Sequence, residues 1–120
     1  MNDNWKSYSS APAGGPVVCA ASEVPEGRAH CVELGDFPIL LARNESGVFA
    51  YVNACPHQFL PLDYRGGSVV SSNGRVLICS NHEAGFDLAT GAGISGFGTG
   101  CALDPVPTKE DEHGQLVIDD

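Results

Sequence analysis

Residues 48–57 read VFAYVNACPH, and residues 75–82 read RVLICSNH. Each stretch begins as an apolar, partly β-branched run and ends on a cysteine with a histidine two or three positions later. Runs such as Val48–Asn53 and Arg75–Cys79 favour β-strands, because branched and aromatic side chains fit a pleated surface. Each Cys/His pair supplies one thiolate and one imidazole from a short loop. Twenty-one residues separate His57 from Cys79. The simplest geometry is two loops side by side, with Cys55, His57, Cys79 and His82 converging at their tips. Two of the four histidines fall just after cysteines in matching positions, which incidental histidines beside buried thiols would rarely do.

Outward from these loops, further β-type runs alternate with turn signals. Pro16–Ala20, Arg28–Leu34, Phe37–Arg43 and Gln115–Ile118 read as strands. Val24–Gly27, Asn44–Gly47, Ser71–Gly74 and Glu110–Gly114 read as turns. No segment sustains a helical period. With 15 Gly and 8 Pro in 120 residues, the expected class is all-β, a sandwich or a small barrel. Residues 55–67 and 79–101 read as Gly-rich loops in the least charged part of the chain. A nearly neutral, irregular segment inside a β protein needs something to order it.

The length of 120 residues fits one domain. Six basic against 15 acidic side chains give a net charge of −9, which disfavours nucleic acid as a partner because phosphate selects Lys and Arg patches. No apolar run reaches the ~18 residues of a membrane span. The start of the chain lacks the basic and apolar regions of a secretory signal, so a cytoplasmic location is expected. Five cysteines in such a chain favour metal ligation or buried thiols over a disulfide framework. Residues 1–15 read as a flexible arm and 16–120 as the domain. Trp5 and Tyr8 are assigned to that frayed arm, docking on the body being the alternative. Cys19, Cys31 and Cys101 are expected to be buried thiols.

Two metal sites fit two Cys and two His. One is tetrahedral zinc in a structural module. The other is a Rieske [2Fe-2S] centre, in which two His replace two Cys on one iron. The surrounding residues bear on the choice. Cys55-Pro56-His57 and Cys79-Ser80-Asn81-His82 match the C-x-H and C-x-x-H patterns of the Rieske domain family, and the chain resembles its small soluble ferredoxin-like members from about Glu23 to Ile118. Arg43–Val48 with Ala50 and Asn53 is similar to the strand pair that enters the first loop. Gly85-Phe86-Asp87 and Thr90-Gly91 are similar to the short strand and turn after the second.

That resemblance implies a Rieske (ISP-like) fold of small antiparallel β-sheets, with a cluster-binding subdomain inserted at about residues 54–103. It implies one [2Fe-2S] cluster per chain, with Cys55 and Cys79 on the inner iron and His57 and His82 on the outer iron. It implies no catalytic residue, but a one-electron carrier that passes electrons from a flavin reductase to a terminal oxygenase. A redox subunit or sensor of another oxidoreductase system is the alternative. With neutral imidazoles the oxidised centre is uncharged, so it accepts an electron more readily than an all-thiolate cluster.

The chain also departs from the high-potential members. Leu60 and Asn81 stand where those members carry a disulfide, and Ala84 and Phe86 stand where they place Ser and Tyr hydroxyls. A potential toward the lower end of the Rieske range of about −150 to +300 mV follows. Glu83 stands where a Gly commonly follows the second His, and Ser95–Gly100 replaces the usual Pro-rich covering loop. Phe97 is the best candidate for partner docking.

Overall fold

The computed structural model describes residues 4–8, 10–12, 15–54, 62, 69–71, 74–79, 84–95 and 102–119. Within them, strands β1 (Val17–Ala20), β2 (His30–Leu34), β3 (Phe37–Asn44), β4 (Gly47–Val52), β5 (Val76–Ile78), β6 (Gly85–Asp87), β7 (Gly93–Ser95), β8 (Thr108–Glu110) and β9 (Gln115–Ile118) follow one another. They form three antiparallel three-stranded sheets, ordered β1-β9-β8, β2-β3-β4 and β5-β6-β7. The described residues contain no α-helix, only 3₁₀ turns at Asn4–Ser7 and Ala21–Glu23. No helix among them is long and apolar enough to cross a membrane.

β3 explains why the core divides. Its run FPILLARN is apolar at almost every position, the pattern of a strand covered on both faces. Phe37, Ile39 and Leu41 pack with Ala50 and Val52 of β4 into a cluster that includes Val18, Leu116, Ile118 and Val106. Leu40, Ala42 and Tyr51 turn the other way, into a cluster with Leu77, Phe86, Leu88, Val69, Val70 and Leu103. The central sheet is therefore sandwiched, with β1-β9-β8 on one side and β5-β6-β7 on the other. The β3–β4 hairpin closes at the pair Asn44↔Gly47. There the Asn44 Oδ1 accepts the Ser46 N–H at 2.7 Å, and Gly47 adopts φ 136°.

Several local expectations are corrected, and one is met. β6 is the short strand Gly85-Phe86-Asp87 that the resemblance implies. β7 lies inside residues 79–101, which composition reads as loop, and its three residues are too few to show a period of two. β8 carries no strand signal in the sequence either, because Pro105 and Pro107 precede it and its TKE is polar. Its order comes from pairing with β9, Thr108↔Ile118 through Glu110↔Leu116.

The N-terminal segment docks on the body. Trp5 is fully buried, its ring tilted against Phe37 with centroids 6.2 Å apart. Tyr8 meets the same ring edge-on, and its hydroxyl donates to Asp104 Oδ2 at 2.8 Å. The Trp5 Nε1–H has no partner among the described residues, a cost of about 1–3 kcal/mol. Burying ~200 Å² of indole contributes about 5 kcal/mol, so the ring stays in. The Ser/Ala/Pro/Gly composition of the arm hides these two anchors.

Cys31 is exposed rather than buried, and Cys19 is half-buried. Cys31 shares the outward phase of β2 with Glu33. β2 is an edge strand, and the side chains that cover β3 and β4 on that face leave it open. Cys101 lies outside the described residues.

Candidate metal centre

The second motif starts at the end of a β-hairpin. β5 and β6 pair as Val76↔Asp87, Leu77↔Phe86 and Ile78↔Gly85. One step further, the Cys79 N–H donates to the Ala84 carbonyl at 2.8 Å. That bond closes the base of the loop that carries His82. On the other side of β5, the Ile78 N–H donates to the Val69 carbonyl at 2.7 Å, and Val70 bridges Leu77. Cys79 is thereby held from both flanks. Its side chain is 0% exposed and shares one cluster with Leu62, Ala84, Phe86, Leu40 and Tyr51.

The first motif leaves the end of β4. The Val52 N–H donates to the Asp104 carbonyl and the Asn53 N–H to the Pro38 carbonyl, at 2.9 and 3.0 Å. Both bonds fix the exit of the strand. The chain returns at Leu62, whose N–H donates to Asn53 Oδ1 at 2.9 Å. Leu62 is fully buried in the cluster that holds Cys79. The two motif-bearing segments thus root in one core. Leu62 is core.

Cys55, His57 and His82 lie outside the described residues, as do Leu60, Asn81, Glu83, Phe97 and the covering segment 96–100. Of the four proposed ligands the structure places Cys79. The described members of the cluster around it are apolar apart from the Tyr51 hydroxyl and the thiol itself. The Tyr51 hydroxyl donates to the Leu88 carbonyl at 2.7 Å; burial, and then the Asp87 charge, push its pKa well above the ordinary phenol value, so it stays neutral. A buried cysteine at the root of a loop can serve as a soft-metal ligand. Two cysteines and two histidines in the sequence, Cys79 among them, are donor types that fit an iron–sulfur centre.

Two supporting contacts carry no signal in the sequence. Asn53 reads as part of the strand that enters the first loop, and its bond to Leu62 joins positions nine apart. Gly91 reads as a turn residue, with Tyr51 as its neighbour in space. It sits at φ 78°, and a Cβ there would stand 2.7 Å from Tyr51 Cε1 and 3.2 Å from the Leu103 carbonyl. The absence of a side chain lets the β6–β7 turn lie flat on the tyrosine ring.

Residues 15–103 match the family model of the Rieske [2Fe-2S] domain. The chain is 35% identical over 101 residues to the ferredoxin component of the alkene monooxygenase system of Xanthobacter autotrophicus, covering 84% of this chain and 77% of that protein. It is similar to a chain in the complex of reduced oxygenase and oxidised ferredoxin of carbazole 1,9a-dioxygenase, with a TM-score of 0.69 and 26% identity over 87% of this chain and 91% of that one. The ferredoxin of Sphingomonas yanoikuyae B1 shares the fold, with a TM-score of 0.72 and 23% identity over 89% and 99% of the two chains. On the family match, the ferredoxin relative and the buried thiol at the loop root, the chain belongs to the Rieske [2Fe-2S] domain family.

Proposed function

We propose that Cys55 and Cys79 bind the inner iron of the cluster, that His57 and His82 bind the outer iron, and that the protein hands electrons from a flavin reductase to a terminal oxygenase in the cytoplasm. As a ferredoxin of its family, the chain is a one-electron carrier with a single [2Fe-2S] cluster. When bound, the cluster takes up one electron and returns it, at a potential that its histidine ligation raises. The observation that carries the ligand assignment is Cys79, fully buried at the root of the β5–β6 loop and packed in one cluster with Leu62 from the end of the first loop.

The chain's own residues support this work in three ways. The apolar wall of Leu62, Ala84 and Phe86 keeps water from the inner end of the site. The backbone bonds of Ile78 and Cys79 fix the second loop without using a charged group. Ala84 and Phe86 present no hydroxyl to the site, so the added electron gains no hydrogen bond from them. A negative net charge of −9 favours a basic docking surface on the partner. The placement beside an oxygenase draws on the relative from an alkene monooxygenase system and on the ferredoxin–oxygenase complex.

Two experiments test this. His57→Ala and His82→Ala should each abolish the Rieske-type EPR signal of the reduced protein; an unchanged spectrum removes the ligand assignment. Ala84→Ser combined with Phe86→Tyr should raise the midpoint potential in voltammetry. A potential that stays put or falls removes the argument from missing hydroxyls.

A further inference from the structure

We infer that Asn53 is a positioning residue, whose side-chain carbonyl closes the segment bearing Cys55 and His57 and so sets that ligand pair against the β5–β6 loop. The inference rests on the ligand assignment proposed above. Among the described residues Asn53 is the one buried polar side chain, 5% exposed. A buried amide costs free energy unless its polar atoms are used. Its Oδ1 accepts the Leu62 N–H at 2.9 Å, across nine positions of chain. The intervening residues 54–61 include the whole first motif.

The clamp has a fixed end and a carried end. At the fixed end the Asn53 N–H donates to the Pro38 carbonyl, and the Ala54 N–H donates to the Val52 carbonyl at 2.8 Å. Both acceptors belong to the central sheet. At the carried end Leu62 is buried beside Cys79 and Ala84 in one cluster. This bond therefore joins the end of the strand to the return of the chain at Leu62, which sits in the cluster that holds Cys79. The loop need not search for that closure when the metal binds, because its ends are already held. An amide does this without adding charge, whereas a carboxylate would place a negative charge near an electron-accepting centre.

The test follows cluster loss to a chelator by visible absorption, in Asn53→Ala, Asn53→Asp and Tyr51→Phe, each held at the same interval below its own Tm. Tyr51→Phe deletes a different buried hydrogen bond of the same sheet and gauges general loosening. Loss from Asn53→Ala should be about tenfold or more faster than from Tyr51→Phe, the size seen when groups behind a metal ligand are removed. Asn53→Asp keeps an acceptor oxygen in either protonation state and should return most of the retention. Equal rates in Asn53→Ala and Tyr51→Phe, or no recovery in Asn53→Asp, overturn the clamp. Should Asn53→Ala fail to fold, hydrogen exchange in the wild-type holoprotein decides. A Leu62 amide as protected as that of Cys79 supports the inference, and exchange at the rate of an exposed loop overturns it. Failure of the ligand assignment looks different, because the EPR spectrum then survives in His57→Ala whatever Asn53→Ala does.

Discussion

The two faces of the central sheet are covered in unlike ways. On one face Trp5, Phe37, Ile39, Leu116 and Ile118 interlock as large side chains, and the covering strands β1 and β9 have four residues each. On the other face the covering strands β5, β6 and β7 have three residues each. Their cluster is as apolar as the first but includes the thiol of Cys79. Backbone bonds, the Asn53 amide and the Tyr51 hydroxyl fix the short strands and the chain around them. On the first face the longer strands carry the cover. On the second, short strands lean on placed hydrogen bonds, and on the proposed ligand assignment a metal centre there would couple its binding energy to the order of its loops. A carrier gains from that division, because the rigid half fixes the strands from which the ligand loops depart.

The largest expected effect breaks the rigid half alone. Trp5→Ala removes a fully buried indole and should cost about 3–5 kcal/mol in denaturant unfolding. The EPR spectrum of the folded fraction should not change, since Trp5 belongs to the cluster on the face away from Cys79. A loss below about 1 kcal/mol would return the N-terminal segment to the frayed arm that its composition suggests.

Gly91→Ala strikes the other half. The new Cβ meets the Tyr51 ring and the Leu103 carbonyl at a positive φ. Left-handed strain and overpacking together should cost about 2–4 kcal/mol. Here the disturbance reaches the surroundings of Cys79, because Tyr51 packs in the same cluster. Stability and the rate of cluster loss should therefore change together. A destabilised protein with a wild-type rate of loss would mean that the two halves are less distinct than their packing indicates.

The same contrast explains what could be read from the chain. FPILLARN announces a doubly buried strand, and NESG its hairpin turn, because apolar density and turn chemistry are local signals. The motif pair points to a metal site because Cys and His are few and their spacing is unusual; of its four residues the structure describes Cys79. GFD is legible as β6 through the resemblance and not through any local pattern, whereas β7 stays hidden because GIS carries almost none; pairing with β6 orders it. Asn53 reads as a strand end until Leu62 is seen to return to it. Trp5 reads as an isolated aromatic in a Gly/Pro/Ser arm until Phe37 is seen beneath it. Cys31 reads as buried because cysteines usually are, and its exposure follows from an edge position that the sequence does not mark.

The smallest effect sharpens the comparison at the N-terminal contact. Burial first, then the hydrogen bond to Asp104, then the charge of Asp104, push the Tyr8 phenol up from 10.0 to about 12. Below pH 10 the phenol is neutral whether the chain is folded or not, and the contact contributes fully. Between pH 10 and about 12 the unfolded phenol ionises while the folded one holds its proton, so the contact's stabilisation declines as pH rises through that window. Tyr8 is only half-buried and partly screened by solvent, so the change should be a small fraction of the loss in Trp5→Ala. Tyr8→Phe removes both the bond and the titration, while Tyr51 and the cluster titrate alike in both proteins. The difference in denaturant midpoint between wild type and Tyr8→Phe should therefore shrink from pH 9 to pH 12. A difference that stays constant or grows would show that Tyr8 and Asp104 do not meet in solution, and that Trp5 alone anchors the segment.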